Sequence, residues 1–350
     1  MKINKTRLLK ALEKVKPGLA TKEIIEQSTH FAFMGDRVVT YNDEISISCY
    51  VPDLELTGAV SAQELYAFLN RIKAEEIEAE VTENEIRLRT GKLTAGLILQ
   101  PEIRLPLQEI GDIEEWYQVP DEFMKALTFC RFSCSSDMSR PILTCVHVGT
   151  NFVESSDNVR YTYHGLSDID ERRVVPEFLI PGDSVNNLSK YDINEIAISK
   201  GWVHFRTTDK TVIFSCRIFD DRYPNTMPIR ELVEDSVEVI FPKLLPEVLD
   251  RASVFAKAQF DSDTMISLTL KNKKILIEAK NTVGWFKEEL PVRYKGKTIK
   301  FPINPTFLIE MLDKTKSCWI GGNKIKFGED SQEGWMHVIG LIPEEIESED

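Results

Sequence analysis

One pattern recurs three times along the chain, at a period near 120 residues. Each copy opens an amphipathic helix and runs on into two alternating strands joined by a polar turn. The first copy spans Val60-Ser61-Ala62 to Ile72, then Glu76 to Val81, a turn at Glu83-Asn84, and Ile86 to Arg89. The second spans Ile180-Pro181-Gly182 to Leu188, then Glu195 to Ile198, a turn at Lys200-Gly201, and Val203 to Arg206. The third spans Ile303-Asn304-Pro305 to Leu312, then Cys318 to Ile320, a turn at Gly322-Asn323, and Ile325 to Phe327. The starting points Val60, Ile180 and Ile303 lie 120 and 123 positions apart. Solenoid units repeat every 20–50 residues or so, so each copy here is long enough to be a domain with its own core.

Every copy also has an earlier helix entered from a short strand. Lys2-Ile3-Asn4 precedes a helix with Leu8, Leu9, Leu12 and Val15 on one face and Arg7, Lys10 and Lys14 on another. The second begins near Tyr117 to Pro120, with Phe123, Met124, Leu127 and Cys130 apolar. The third begins near Val237 to Ile240, with Leu244, Leu245, Val248, Leu249 and Ala252 apolar. Runs such as Arg37 to Tyr41, Ile45 to Tyr50, Val212 to Cys216 and Ile266 to Leu270 alternate with period two, the mark of half-buried antiparallel strands. The fold class expected is α+β: three similar domains, each with two helices packed on antiparallel sheets. Acidic, apolar-poor stretches place the domains at residues 1–114, 115–234 and 235–350.

Lys+Arg number 43 and Asp+Glu 56, a formal charge of −13, which by itself argues against a phosphate-rich partner. A net charge is only a sum, however, and a basic concave face can coexist with an acidic exterior. The six cysteines form no CxxC pair and read as buried thiols. No apolar run approaches the ~18 residues of a membrane span, and Met1-Lys2-Ile3-Asn4 leads into a charged amphipathic pattern, not a signal peptide. A cytoplasmic, nucleoid-associated location is expected. There is no Walker loop and no GxGxxG. His30, His147, His164, His204 and His337 stand far apart without a nucleophile motif. The carboxylate pair Asp220-Asp221 leaves a metal-dependent nucleic-acid enzyme as the enzymatic alternative.

Ser139-Arg140-Pro141-Ile142-Leu143-Thr144-Cys145-Val146, followed by Ser156-Asp157-Asn158-Val159-Arg160-Tyr161, resembles the signature of the middle domain of the bacterial DNA sliding clamp, the DNA polymerase III beta subunit family. Phe219 to Pro224 and Leu249 to Phe255 are similar to two further family segments in the same order. The resemblance covers essentially the whole chain. It implies a non-catalytic processivity factor without cofactor or metal: two head-to-tail subunits forming a closed ring around duplex DNA. Helices would line the hole, and acidic sheets would lie beyond about one Debye length of ~8 Å. Implied partners are DNA of any sequence, a second copy of the chain, and a polymerase and clamp loader that dock through short linear motifs. A clamp-fold adaptor that closes no ring is the other alternative.

The resemblance also implies three sets of residues. Lys10, Lys14, Lys22, Arg71, Lys73, Lys125, Arg131, Arg140, Lys190, Arg251, Lys257 and Lys314 are the candidate phosphate contacts. The partner-peptide groove would comprise Leu143, Ser156, Asn158, Val159, Arg160, Tyr161, Leu341, Ile342 and Pro343. Asn158 and Val159 depart from the family's small residue and His, and the chain continues as an acidic tail over 344–350. Val254 and Phe255 match the apolar pair offered to a neighbouring subunit, with Ala95 and Leu97 on the receiving side. Ala95 stands where the family commonly has a large aromatic, with Leu93 or Leu99 as candidate compensation.

Overall fold

The computed structural model describes residues 1–111, 113, 115–167, 175–230, 235–256, 264–329 and 334–342. By its internal contacts the chain falls into two units. One comprises Met1–Arg131, Cys145–Asn151 and Ser167–Arg222; the other comprises Phe132–Thr144, Phe152–Leu166 and Tyr223–Asp350.

One series of elements occurs three times. It first runs β1 (Lys2–Asn4), α1 (Lys5–Val15), β2 (His30–Gly35), β3 (Arg37–Tyr41), β4 (Ile45–Tyr50), β5 (Leu56–Ser61), α2 (Ala62–Arg71), β6 (Glu76–Val81), β7 (Glu85–Thr90) and β8 (Leu93–Ile98). It next runs β9 (Tyr117–Gln118), α3 (Phe123–Cys130), β10 (Cys145–Val148), β11 (Phe152–Ser156), β12 (Arg160–Gly165), β13 (Phe178–Pro181), α4 (Gly182–Leu188), β14 (Ile193–Ser199), β15 (Trp202–Thr207) and β16 (Val212–Arg217). A short helix, α5 (Met227–Arg230), intervenes. The last series is β17 (Val237–Ile240), α6 (Leu245–Ala256), β18 (Ile266–Lys271), β19 (Lys274–Lys280), β20 (Trp285–Pro291), β21 (Ile299–Ile303), α7 (Pro305–Leu312), β22 (Ser317–Gly321), β23 (Lys324–Gly328) and β24 (Trp335–Gly340). Helix α5 falls at the edge of a stretch that composition alone marks as a boundary.

Local chemistry starts these helices where they begin. The Asn4 side chain accepts from the Arg7 amide at 2.8 Å and Asn304 accepts from Thr306 at 3.0 Å, each satisfying an orphan N–H of the first turn. Ser61 donates to the Glu64 carboxylate at the start of α2, a side-chain pair and not a backbone cap. Along α1 the buried face is Leu8, Ala11, Leu12 and Val15, whereas Leu9 is only half buried. Each of the larger side chains contributes about 1.5–3 kcal/mol by leaving water. In α6 the buried set is Leu245, Val248, Leu249, Ala252 and Ala256, while Leu244, expected on that face, is exposed. It precedes the first helical residue, so the 3.6-residue periodicity does not yet govern it.

Among the described residues the strand pairs are antiparallel. In the first unit β1-β6-β7-β8 form one sheet and β5-β2-β3-β4-β16-β15-β14-β9 a second. The larger sheet is two four-strand sets, from the first and second series, joined where β4 meets β16, with Ser46 opposite Ser215 and Ile45 opposite Cys216. In the second unit β20-β19-β18-β21 form a sheet of four. There β12 joins β24 in the same manner, with Tyr161 opposite Val338 and Arg160 opposite Ile339.

All six cysteines are thiols, and all but the half-buried Cys134 are buried. Burial pushes the thiols of Cys49, Cys216 and Cys318 up, away from the reactive thiolate.

Candidate DNA and partner surfaces

The 3.6-residue repeat of α1 sets Arg7, Lys10 and Lys14 along one face, opposite the buried one. Their surroundings differ. Lys10 is exposed, whereas Lys14 donates to Thr211 Oγ1 at 3.2 Å and approaches Asp209 at 3.7 Å, and Arg7 pairs with Asp53 at 3.3 Å. Lys22, Arg71, Lys73 and Lys125 are also exposed. Among the described residues these four and Lys10 have no ion pair.

Arg131 is engaged within the fold. Its Nε donates to the Gly182 carbonyl at 3.0 Å, tying the end of α3 to the start of α4. Arg251 grips Glu288 through both carboxylate oxygens at 3.0 and 2.9 Å. Lys190 donates to Asn187 Oδ1 at 3.2 Å, the Lys314 ammonium lies 5.6 Å from the centre of the Phe132 ring, and Arg140 is exposed in the loop before Pro141. Lys257 lies outside the described residues. Lys16, which the helix pattern did not single out, is exposed above the Tyr66 ring at 4.8 Å and adds a cation to the end of α1.

The residues expected to form the peptide groove all belong to the second unit, apart from Pro343, which lies outside the described residues. They divide into buried and exposed positions. Leu143, Ser156, Tyr161 and Leu341 are buried, while Asn158, Val159 and Ile342 are exposed, Ile342 by 80%. Asn158 has φ 73°, and Asn tolerates this left-handed backbone far better than a β-branched residue would. The Val159 carbonyl accepts from the Gly340 amide at 2.7 Å, which brings the exposed ends of the β11–β12 turn and of β24 side by side.

Arg160 does not reach outward. It donates to Asp157 Oδ2 at 2.9 Å and to Glu310 Oε2 at 3.2 Å, with its guanidinium 3.9 Å from the centre of the Phe307 ring. Burial raises the Glu310 carboxyl, and Arg160 partly offsets this. Tyr161 is likewise a support. Its hydroxyl donates to Glu154 Oε2 at 2.7 Å, and burial, reinforced by that carboxylate, pushes its ionisation upward. Glu154 also accepts from Thr226 at 2.7 Å and from Arg230 at 3.1 Å. Val159 and Ile342 are the exposed apolar residues of this set.

Comparisons with known proteins agree along the whole length. No family model matches the sequence. The beta sliding clamp of Lactococcus lactis is 25% identical over 344 residues, 90% of each chain, and that of Bacillus subtilis 23% over 345 residues, 89% of each. Among solved structures, a Caulobacter crescentus beta sliding clamp superposes with a TM-score of 0.84 at 15% identity, covering 97% of this chain and 98% of that one. The Bacillus subtilis clamp superposes at 0.81 and 21%, covering 97% and 98%.

This is the fold of a bacterial beta sliding clamp. The chain is a divergent relative of those proteins.

In the clamp fold the four residues expected at a subunit interface fall on sheet edges and the helix beside them. Ala95 and Leu97 lie on β8, at the edge of the first sheet, both half buried and opposite Leu88 and Ile86. Val254 is exposed on α6, and Phe255 stacks on Phe286 of β20 with ring centres 6.4 Å apart and planes at 22°. Sequence reasoning missed Trp285 and Phe286. Their neighbours Gly284 and Lys287 make the segment read as a turn and a polar strand, and only the edge position of β20 singles it out.

The histidines are dispersed through structural roles. His204 lies between Ser199 and Ser215, 2.8 Å from each hydroxyl, and burial lowers its pKa to about 4. His337 meets Thr162 at 2.8 Å, and burial, then Arg160, lowers its pKa to about 3. Asp220 and Asp221 are exposed, and among the described residues no three His, Cys, Asp or Glu converge as metal ligands. Among the described residues no helix is long and apolar enough to cross a membrane.

Proposed function

We propose that this chain is a DNA sliding clamp, a non-catalytic processivity factor whose ring encircles duplex DNA and tethers a replicative polymerase. The curated relatives are named beta sliding clamps, and solved neighbours include the DNA polymerase III subunit beta of Pseudomonas aeruginosa. The observation that carries the reading is the likeness over about nine-tenths of both chains, together with the threefold series of elements. On this reading the domains are residues 1–114, 115–234 and 235–350, with both boundaries, Glu114 and Glu234, outside the described residues.

Ring closure requires two copies. Within one chain β4 meets β16 and β12 meets β24, each joining the second sheet of one series to the first sheet of the next. The second sheet of the last series ends at β20, and the first sheet of the first series ends at β8. Two copies joined head to tail would pair β20 of each with β8 of the other, giving an eight-strand sheet like those within the chain.

DNA contact in this reading belongs to exposed cations on or near the helices, with Lys10, Lys22, Arg71, Lys73 and Lys125 foremost because among the described residues they have no ion pair. Encirclement makes weak contacts sufficient, since topology prevents escape and loose phosphate contacts permit sliding. The groove rimmed by Val159 and Ile342 would take the apolar residues of a partner's linear motif. The Caulobacter crescentus clamp carries polyethylene glycol at the region proposed to tether beta motifs. The protein would act in the cytoplasm, at the nucleoid.

The test is retention on DNA. After loading onto a nicked circle the protein should stay bound in high salt and run off once the circle is linearised. Equal loss from both forms would identify an ordinary binder and end the proposal.

A further inference from the structure

The repeats carry enough detail to give the residue register of the subunit junction. Three hairpins share one turn. Asn42, Asp157 and Asn281 each donate their amide to the carbonyl three residues on, in Ile45, Arg160 and Gly284, at 3.1, 3.2 and 2.9 Å. Each side-chain oxygen also accepts from two following amides: Glu44 and Ile45, Val159 and Arg160, Val283 and Gly284. Ser46, Tyr161 and Trp285 are therefore equivalent, each being the first strand residue of its hairpin to find a partner, in Tyr41, Ser156 and Lys280.

The receiving strands align as well. After two-residue turns at 200–201, 322–323 and 83–84, Trp202 faces Arg217, Lys324 faces Gly340, and Glu85 faces Ile98. At both junctions inside the chain, the first residue faces the position two before the second: Ser46 faces Ser215, and Tyr161 faces Val338. Both junctions also close with the same bond, Arg217 amide to Glu44 carbonyl at 2.9 Å and Gly340 amide to Val159 carbonyl at 2.7 Å.

We infer that β20 adds to β8 of a second copy in this register, with Trp285 opposite Gly96, Phe286 opposite Ala95, and Gly284 opposite Leu97 of the partner subunit. The inference rests on the ring proposed above and goes beyond it in fixing which residues meet. Three consecutive pairs set a large side chain against a small one, the large residue lying on β20 at Trp285 and Phe286 and on β8 at Leu97. Trp285 is 70% exposed, and a Cβ at Gly284 would lie 3.0 Å from the Phe255 ring, so a side chain at position 284 would press on that ring.

The faces agree too. Phe286 pairs with the buried Ala279 and Ala95 with the buried Leu88, so both belong to the core side of their sheets. Trp285 pairs with exposed Lys280 and Gly96 with exposed Arg87, so both belong to the outer side. A slip of one residue would reverse every one of these assignments. Val283 and Ile98, 87% and 79% exposed, would meet at the end of the ladder. The aromatic that Ala95 lacks is then supplied across the junction by Phe286, already stacked on Phe255.

The test uses the full chain carrying Thr94→Cys and Lys287→Cys, an outward pair that this register sets directly opposite, at a Cα separation near 5.5 Å that suits a disulfide. Mild oxidation should give a covalent dimer, whereas Thr94→Cys with Glu289→Cys, two residues out of register, should not. Trp285→Ala and Gly96→Leu should each weaken the dimer roughly tenfold or more, and combining them should recover part of the loss. A dimer that cross-links only through the offset pair overturns the register and leaves the ring standing. A protein that sediments as a monomer throughout the micromolar range overturns both.

Discussion

The buried group beneath the proposed groove lends itself to a thermodynamic cycle. Glu154 is 3% exposed, and its Oε2 accepts from Tyr161, Thr226 and Arg230 at 2.7, 2.7 and 3.1 Å. Arg230 also donates to the Tyr161 hydroxyl at 2.8 Å and lies 4.0 Å from the Tyr163 ring centre. Lys324 and Lys326 donate to the carbonyls of Ile229 and Arg230 at 3.2 and 2.8 Å, anchoring the end of α5. Arg230→Ala removes the guanidinium that donates to the buried Glu154 carboxylate, which should cost about 3–5 kcal/mol. Glu154→Ala should cost less, about 2–3 kcal/mol, because the Arg230 side chain keeps 20% of its surface in water. The double variant loses both charges together and should fall short of the sum by about 2–3 kcal/mol. Hydrogen exchange of the β11 and β12 amides, with denaturant unfolding at pH 7, reads the local effect in all four proteins. Additivity within about 0.5 kcal/mol would show that the two charges do not act as a pair, and the reasoning would fail.

Other outcomes follow from the same structure. His204 and His337 are held neutral, with pKa values lowered to about 4 and 3, so the stability tied to neutrality is full above the unfolded value near 6.5 and drains as pH falls toward 4. The loss should reach about 3 kcal/mol for each by pH 4, and urea midpoints for His204→Asn should show a shallower decline than the parent; an unchanged slope would count against this assignment. Ile342→Ser should weaken binding of an apolar partner motif by about tenfold, while Asn158→Gly should fold normally because φ 73° suits glycine; peptide titration by fluorescence anisotropy checks both. Lys10→Glu combined with Arg71→Glu should lower loading onto DNA and reduce its salt dependence without sequence preference, and equal salt slopes for variant and parent would remove these residues from the DNA surface.

Much of the architecture was legible in the sequence because it is repetitive. Three helix, strand, turn, strand patterns near residues 60, 180 and 303 appear as α2, α4 and α7 with their following strands. Hydrophobic periodicity is a local property, and it survives divergence to about one identical residue in four. Exposure of individual side chains was less legible. Tyr161 and Arg160 share a run with the exposed Asn158 and Val159, yet one is buried on Glu154 and the other is held between Asp157 and Glu310. Their binding partners lie up to 150 residues away, and no spacing rule reports on them. The same holds for Lys14 and Arg131, whose charge pattern matches Lys10 and Lys125 but whose contacts are internal.

The sequence alone determined that there would be three similar modules of two helices and antiparallel strands, since periodicity and turn chemistry act over a few neighbouring residues. Only the tertiary structure decided which cations are engaged inside the chain, which of the residues expected in the groove are buried and which exposed, and that β8 and β20 each end a sheet. Those outcomes depend on contacts between segments remote in the chain, where packing and hydrogen bonding outweigh any local preference.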